Sequence, residues 1–409
     1  MKNIVLTSSL IFFLFSFSIS FVYAQQNDTE TVDVEMLFNN GVDLYFSSNY
    51  NDAIEWYDKA LMIEPNDVNI LFAKGLALLK LEKGLDAMEW FDKALMNEPN
   101  STFLLEGKGS ALLMLGKYQE ALEWYDKSVS IKQNNNMLSN NSDLFYNKGL
   151  ALFNLGEHEE SIQLFDQVIE IEPNNVKALY NKGTALSNLN KYQEALEWYD
   201  KALEIEPNYT DALYNKGTAL LSLGKYQEAL KLYDNVLKIE QNNNIKYNNS
   251  NLLSNIGLAH YNLGNYQEAL KSYDNALEIE PTHLQALFNK GLVLYELGQY
   301  QESIESYDKF IKINPNDVNS LTAKGTSLVK LGKYNEALQL YEKALKIQPD
   351  HVYTLANKGL VLFDIGQYQE AIEVYNKALE IETNEYDIDL ILSYKDEALS
   401  KMNSTNNTN

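Results

Sequence analysis

Seven asparagines stand two residues ahead of a recurring glycine: Asn39, Asn147, Asn181, Asn215, Asn255, Asn289 and Asn357. A carboxamide offers a donor and an acceptor together, the same pair of groups that a peptide bond presents. A row of them at even spacing has the chemistry to hold an extended backbone while leaving most side chains unread. Aromatic residues beside the row, Tyr146, Tyr180, Tyr214 and Phe288, can supply apolar anchors. The competing reading is that these asparagines only cap or solvate, as an asparagine-rich composition favours. The sequence leaves both open.

Other chemistry has less to stand on. The four histidines, His158, His260, His283 and His351, fall at different places relative to the glycine and form no obvious cluster. There is no HExxH, no phosphate-binding glycine loop and no nucleophile elbow. Cysteine is absent, which excludes disulfides, a thiolate nucleophile and a Cys-ligated metal. The expectation is a protein that is not an enzyme, with no catalytic residue, cofactor or metal. All 33 basic residues are lysine and the formal net charge is −24. Such a surface repels phosphate backbones and lacks the guanidinium fork used in base reading, so nucleic acid is not an expected partner.

The elements that must position the asparagine row are legible from the same glycine. It falls at Gly41, Gly75, Gly109, Gly149, Gly183, Gly217, Gly257, Gly291, Gly325 and Gly359, spaced by 34 residues except for two steps of 40. Sixteen residues after it stands Tyr or Phe, as at Tyr57, Phe91 and Tyr199, and twelve after it Ala or Ser. All 7 prolines lie twenty-four after it, from Pro65 to Pro349. Leu179, Gly183 and Leu186 are spaced i, i+4, i+7, one face of a helix, and Ala195, Tyr199 and Ala202 repeat that spacing. The chain breaks near Asn190 between them, and Pro207 stops the second helix. Each repeat is thus a helix pair whose apolar face only a neighbour can cover.

Ten units built on the pattern Gly-x-Ala-Leu…Tyr-x-x-Ala…Tyr/Phe…Ala…Pro, seven of them with the proline, resemble the tetratricopeptide repeat family. The resemblance implies an all-α, right-handed superhelical solenoid of antiparallel helix pairs. It also implies a concave groove, lined by the first helix of each pair, that takes extended peptides or partner helices. The groove residues carried over are Asn147, Asn181, Asn215, Asn255, Asn289 and Asn357, with Tyr146, Tyr180, Tyr214 and Phe288. A lysine clamp for a C-terminal carboxylate fits poorly, since only Lys80, Lys177 and Lys330 fall on that stripe. One departure is consistent: lysine precedes the glycine in eight repeats, and an acid such as Asp58 or Asp200 recurs seventeen after it. That pattern predicts Lys–Asp ladders along the stack. Trp56, Trp90, Trp124 and Trp198, fifteen after the glycine, read as packing or outer surface on the second helix.

The repeats group as residues 34–135, 142–243 and 250–385, then a capping helix over 386–402 and an unstructured tail over 403–409. Gln133 and Gln241 stand where proline is expected, ahead of the asparagine-rich seams. These seams read as longer loops that keep the stacking or as hinges, with intact stacking favoured because the packing residues beyond them are present. Acceptor sequons at Asn100, Asn140, Asn208 and Asn248 are candidate glycosylation sites, though asparagine-rich chains make such triplets by chance. Residues 1–24 have the anatomy of a secretory leader: Lys2, an apolar run from Ile4 to Val22, and Val22-Tyr23-Ala24. The reading is an exported scaffold binding protein or peptide, with membrane contact only if the leader is retained. The alternative is a structural cell-envelope component that self-associates or acts as a spacer.

Overall fold

The structure, a computed structural model, describes residues 33–135, 141–242, 249–382 and 384–406. Among these residues it is entirely helical, with twenty-one helices in chain order from Val34–Phe46 to Glu385–Asn406. By its internal contacts the chain forms two compact units, Met1–Ala219 and Leu220–Asn409. The division falls within the helix Thr210–Ser222, at neither asparagine-rich seam. No helix among the described residues is long and apolar enough to cross a membrane.

Each repeat is a pair of helices, such as Val176–Asn188 with Tyr192–Ile205 in the N-terminal unit and Leu284–Glu296 with Tyr300–Ile313 in the C-terminal unit. The pairs are antiparallel. Ser303 Oγ donates to the Gly291 carbonyl and Ser306 Oγ to the Leu287 carbonyl, so one helix advances as its partner recedes. The recurring glycine explains the close approach. A Cβ built on Gly183 would lie 2.8 Å from Cε1 of Tyr199, and one on Gly359 would lie 2.3 Å from Cε1 of Tyr375. The aromatic ring sixteen residues on occupies the space that any other side chain would need. Those rings, Tyr57 through Tyr375, are among the largest fully buried side chains of the described residues.

The turn within each pair requires a left-handed residue seven after that glycine. Glycine supplies it seven times, from Gly116 to Gly366, and Ser48, Glu82 and Asn190 adopt it with φ of 64°, 58° and 59°. Proline ends the second helix by forcing the preceding residue out of the helical region. Glu206, ahead of Pro207, sits at φ −125°, ψ 85°. Where glutamine replaces proline the helix continues, so Tyr118–Asn134 and Tyr226–Asn242 run 17 residues rather than 14.

The first seam retains its packing. Leu112, Leu113 and Tyr125 of repeat three share one core with Leu144, Ala151 and Leu152 of repeat four. The added helical turn carries Lys132 into a buried network. Its Nζ lies 2.7 Å from Glu106 Oε1 and also donates to Asn141 Oδ1, while Ser128 Oγ donates to Glu106 at 2.6 Å. Beyond each seam a serine at the helix start is tied to a glutamate at the end of its own pair, Ser142 to Glu172 and Ser250 to Glu280.

One expectation needs correction. The terminal helix spans Glu385–Asn406, so residues 403–406, read from sequence as unstructured tail, are helical. The polar NST triplet there does not end the helix, and Ser404 Oγ bonds back to the Lys401 carbonyl. This helix covers the last pair through Ile391 and Ala398, packed with Leu355, Tyr375 and Ala378.

Candidate functional site

Along the outer surface, the lysine before each glycine pairs with the acid of the preceding repeat. Lys74 with Asp58, Lys108 with Asp92, Lys182 with Asp166 and Lys216 with Asp200 are close contacts, and Lys148–Asp126, Lys290–Asp274 and Lys324–Asp308 stand at 2.5 Å. Lys358 meets Glu342 at 3.3 Å. The ladder read from sequence is present in all eight repeats that carry the lysine. Where the repeat also has tryptophan, the ammonium lies over the indole: Lys74 at 3.7 Å from Trp90, Lys108 at 4.0 Å from Trp124 and Lys182 at 3.6 Å from Trp198. These lysines are spent on joining successive repeats through the acids and on covering the indole of their own repeat.

The inner surface of the N-terminal unit is different. A cavity of about 280 Å3 opens between first helices of repeats three to six. Repeat three contributes Leu113 and Met114, and repeat four Tyr146, Leu150, Phe153 and Asn154. Repeat five contributes Lys177, Tyr180, Asn181 and Thr184, and repeat six Tyr209 and Asp211. The i, i+4, i+7 rows of Thr102–Met114, Ser142–Leu155 and Val176–Asn188 aim these side chains inward from adjacent helices.

The asparagine row is engaged with its own scaffold. Asn181 Nδ2 donates to the Tyr146 hydroxyl at 2.9 Å, and Asn215 Nδ2 donates to the Tyr180 hydroxyl at 2.9 Å. Thr184 Oγ1 accepts from Tyr199 and from Asn215, each at 3.3 Å. Both asparagines therefore read the tyrosine of the preceding repeat through Nδ2, which in Asn215 also donates to Thr184, and the carboxamide oxygen is the acceptor left for a guest. Burial raises the Tyr180 phenol to about 12, against hydrogen bonds from Thr184 and Asn215 that lower it, so it stays a neutral donor and acceptor. Burial likewise raises Tyr146.

The structure thus gathers Tyr146, Tyr180 and Asn181 at one cavity, with Asn215 bonded to its wall. Asn147 is only 3% exposed, too deep to offer its amide outward. Tyr214 is half-buried in the helix that follows. Asn255, Asn289, Asn357 and Phe288 belong to the C-terminal unit and line other surfaces. Asn255 is buried, Asn289 half-buried, Asn357 bonds to the Tyr353 carbonyl at 2.9 Å, and Phe288 packs edge-on to Tyr307. Asn100 and Asn208 are exposed in equivalent turns between repeats; Asn140, Asn248 and the leader lie outside the described residues. Tyr209 and Asp211 were not singled out by pattern. The signal was a gap in the row of helix-capping residues, where tyrosine replaces Asp, Asn, Ser or His.

Comparison with known proteins follows this geometry. Family models described as tetratricopeptide repeat match residues 142–175, 176–209, 209–279, 255–318 and 316–384, together more than half of the chain. A model described as anaphase-promoting complex, cyclosome, subunit 3 matches 47–128. Among solved structures the chain is similar to the APC/C hetero-tetramer Cut9–Hcn1 at 16% identity, over 92% of this chain and 78% of that one, with TM-score 0.50. It is also similar to a tetratricopeptide repeat protein from Parabacteroides merdae, at 22% identity over 62% and 98% with TM-score 0.49. A third, YrrB, described as a TPR protein with an unusual peptide-binding site, matches at 25% identity over 47% and 97% with TM-score 0.40. No curated protein matches the chain.

Proposed function

This chain belongs to the tetratricopeptide repeat family, and from that premise we propose that it is a protein-binding scaffold holding an extended peptide segment across its first helices. The observation that carries the reading is the cavity between repeats three and six, where Tyr146, Tyr180 and Asn181 meet with Leu150 and Met114. Apolar walls with a few fixed polar groups are what a recognition site for a side chain needs. The carbonyl oxygen of Asn181 can accept from a guest backbone N–H while its amide stays fixed by Tyr146. The junctions between repeats support the same division of labour, because the first-helix lysines there are already paired with second-helix acids.

Panning a displayed peptide library on the purified chain tests this. Enriched peptides that are lost on Asn154→Trp, which fills the cavity from an exposed lip, support it. An empty selection, or peptides indifferent to that variant with folding unchanged, overturns it. A mass that grows with concentration, together with an empty selection, favours the self-associating envelope component.

We also place the protein outside the cytoplasm, on the anatomy of residues 1–24. Exported protein whose first residue is Gln25 is the expected product. Retention of the full amino terminus in a cytoplasmic fraction overturns the placement.

A further inference from the structure

The residue immediately before each first helix is a capping position. Asp33, Asp67, Asn175, Asn249, His283 and Asp317 all accept there from a backbone N–H two or three residues on. Repeat six has Tyr209, ahead of the helix Thr210–Ser222. A phenol hydroxyl stands too far from its own backbone to accept from those N–H groups, so this helix goes without a side-chain cap, as do the helices behind Ser101, Asn141 and His351. Tyr209 differs from those three in residue type: serine, asparagine and histidine can cap, whereas a tyrosine there has only its ring to use. The ring goes to the cavity, where its centroid lies 5.1 Å from that of Tyr180.

Two charges share that cavity. Lys177 and Asp211 both line it, and neither forms an ion pair with another described residue. Burial raises the Asp211 carboxyl above its ordinary range. The apolar lining, Met114, Leu150 and Phe153, comes from repeats three and four, Lys177 from five and Asp211 from six. The surface therefore reads apolar, positive, negative in repeat order. Packed helices lie about 8–10 Å apart. An extended chain advances about 3.3 Å per residue, so groups meeting consecutive repeats fall about three residues apart.

We propose that this cavity recognises an extended segment presenting, about three residues apart, an apolar side chain, a carboxylate for Lys177 and a cation for Asp211, with Tyr209 as the specificity-determining wall. The proposal rests on the peptide-binding reading and names its partner. Tyr209 and Tyr180 enclose the stem of the guest chain between the apolar end and the charged end.

The test uses the whole chain and synthetic probes. Glycine/serine peptides carry Phe, Glu and Lys three residues apart, in both chain directions, beside copies with Glu and Lys exchanged. Affinity is read by fluorescence anisotropy and folding by circular dichroism. A matched peptide is expected to bind at least about threefold tighter than its exchanged copy, the scale of a partly exposed charge pair. The double variant Lys177→Glu with Asp211→Lys is expected to reverse that preference. Tyr209→Asn is expected to raise the unfolding temperature, by restoring a cap, while weakening binding. Equal affinity for matched and exchanged peptides overturns the proposal and leaves the groove reading standing. Lower stability with unchanged binding in Tyr209→Asn makes that residue structural and also overturns it. Failure of every probe, together with an empty library selection, overturns both readings.

Discussion

Lys182 holds its ammonium 3.6 Å from the centre of the Trp198 indole while pairing with Asp166 of the preceding repeat. Lys201 approaches the same indole at 3.7 Å. One lysine thus serves two contacts, one within its own repeat and one across the junction. Its aliphatic stem is largely covered, which limits the entropy cost of holding it.

Lys182→Met keeps the stem and removes the charge. It is expected to destabilise by about 1 kcal/mol, the scale of an ion pair and a cation–π contact that are partly exposed. Lys148 pairs with Asp126 at 2.5 Å, but its repeat has Leu164 in place of tryptophan, so Lys148→Met should cost less. Urea unfolding of the two variants provides the comparison, and equal losses would remove the indole from the account.

Gly183→Ala pits helix propensity against space. Alanine would gain about 1 kcal/mol in an exposed helix. Here its Cβ would sit 2.8 Å from the Tyr199 ring, which is itself fully buried and cannot retreat. Net destabilisation of about 1–3 kcal/mol is expected. Tyr199→Ala should cost about 3–5 kcal/mol. Calorimetric losses under about 1 kcal/mol in both would mean that this face is not the packing face.

Glu106 and Lys132 form an ion pair with both residues under a tenth exposed, at 6% and 7%. Lys132→Met alone strands the Glu106 carboxylate and is expected to cost about 3–5 kcal/mol. Replacing both, Glu106→Leu with Lys132→Met, removes the stranded charge and should recover most of that loss. Chemical denaturation of the single and double variants reads the difference. A double variant as unstable as the single would show that the network does more than neutralise itself.

His351 gives the fold a pH dependence. Burial holds its imidazole below the ordinary 6.5, with Asp350 and Asp317 pulling part of the way back. The unfolded chain then takes up the proton first as pH falls. This contribution to stability is level above 6.5 and declines as pH drops below it, until the folded value is passed. His351→Asn should flatten that slope. Unfolding midpoints of both proteins between about pH 5 and 8 test it, and a slope unchanged by the substitution assigns it to other groups.

Much of this was legible before any coordinates. The glycine, the aromatic sixteen residues later and the proline define two helices and their facing sides, because one helical turn places i, i+4 and i+7 together. Even the Lys–Asp ladder followed, since a repeat copies its own neighbour relations. The helix that runs into the NST triplet was not legible: asparagine and serine weaken a helix without stopping it, and packing of Ile391 and Ala398 against the last pair sustains it.

The candidate site divides along the same line. By itself the sequence determined that a row of carboxamides and tyrosines recurs on the first helices, because periodicity reports which face of a helix a residue occupies. Only the tertiary structure decided how that row is used. Asn181 meets Tyr146 at 35 residues' separation and Asn215 meets Tyr180 at the same separation, while Asn147 is sealed in. It also decided that Tyr209 leaves a capping position to face Tyr180. A polar group's partner is chosen by which repeat lies beside it and at what depth, and no spacing within one helix carries that information.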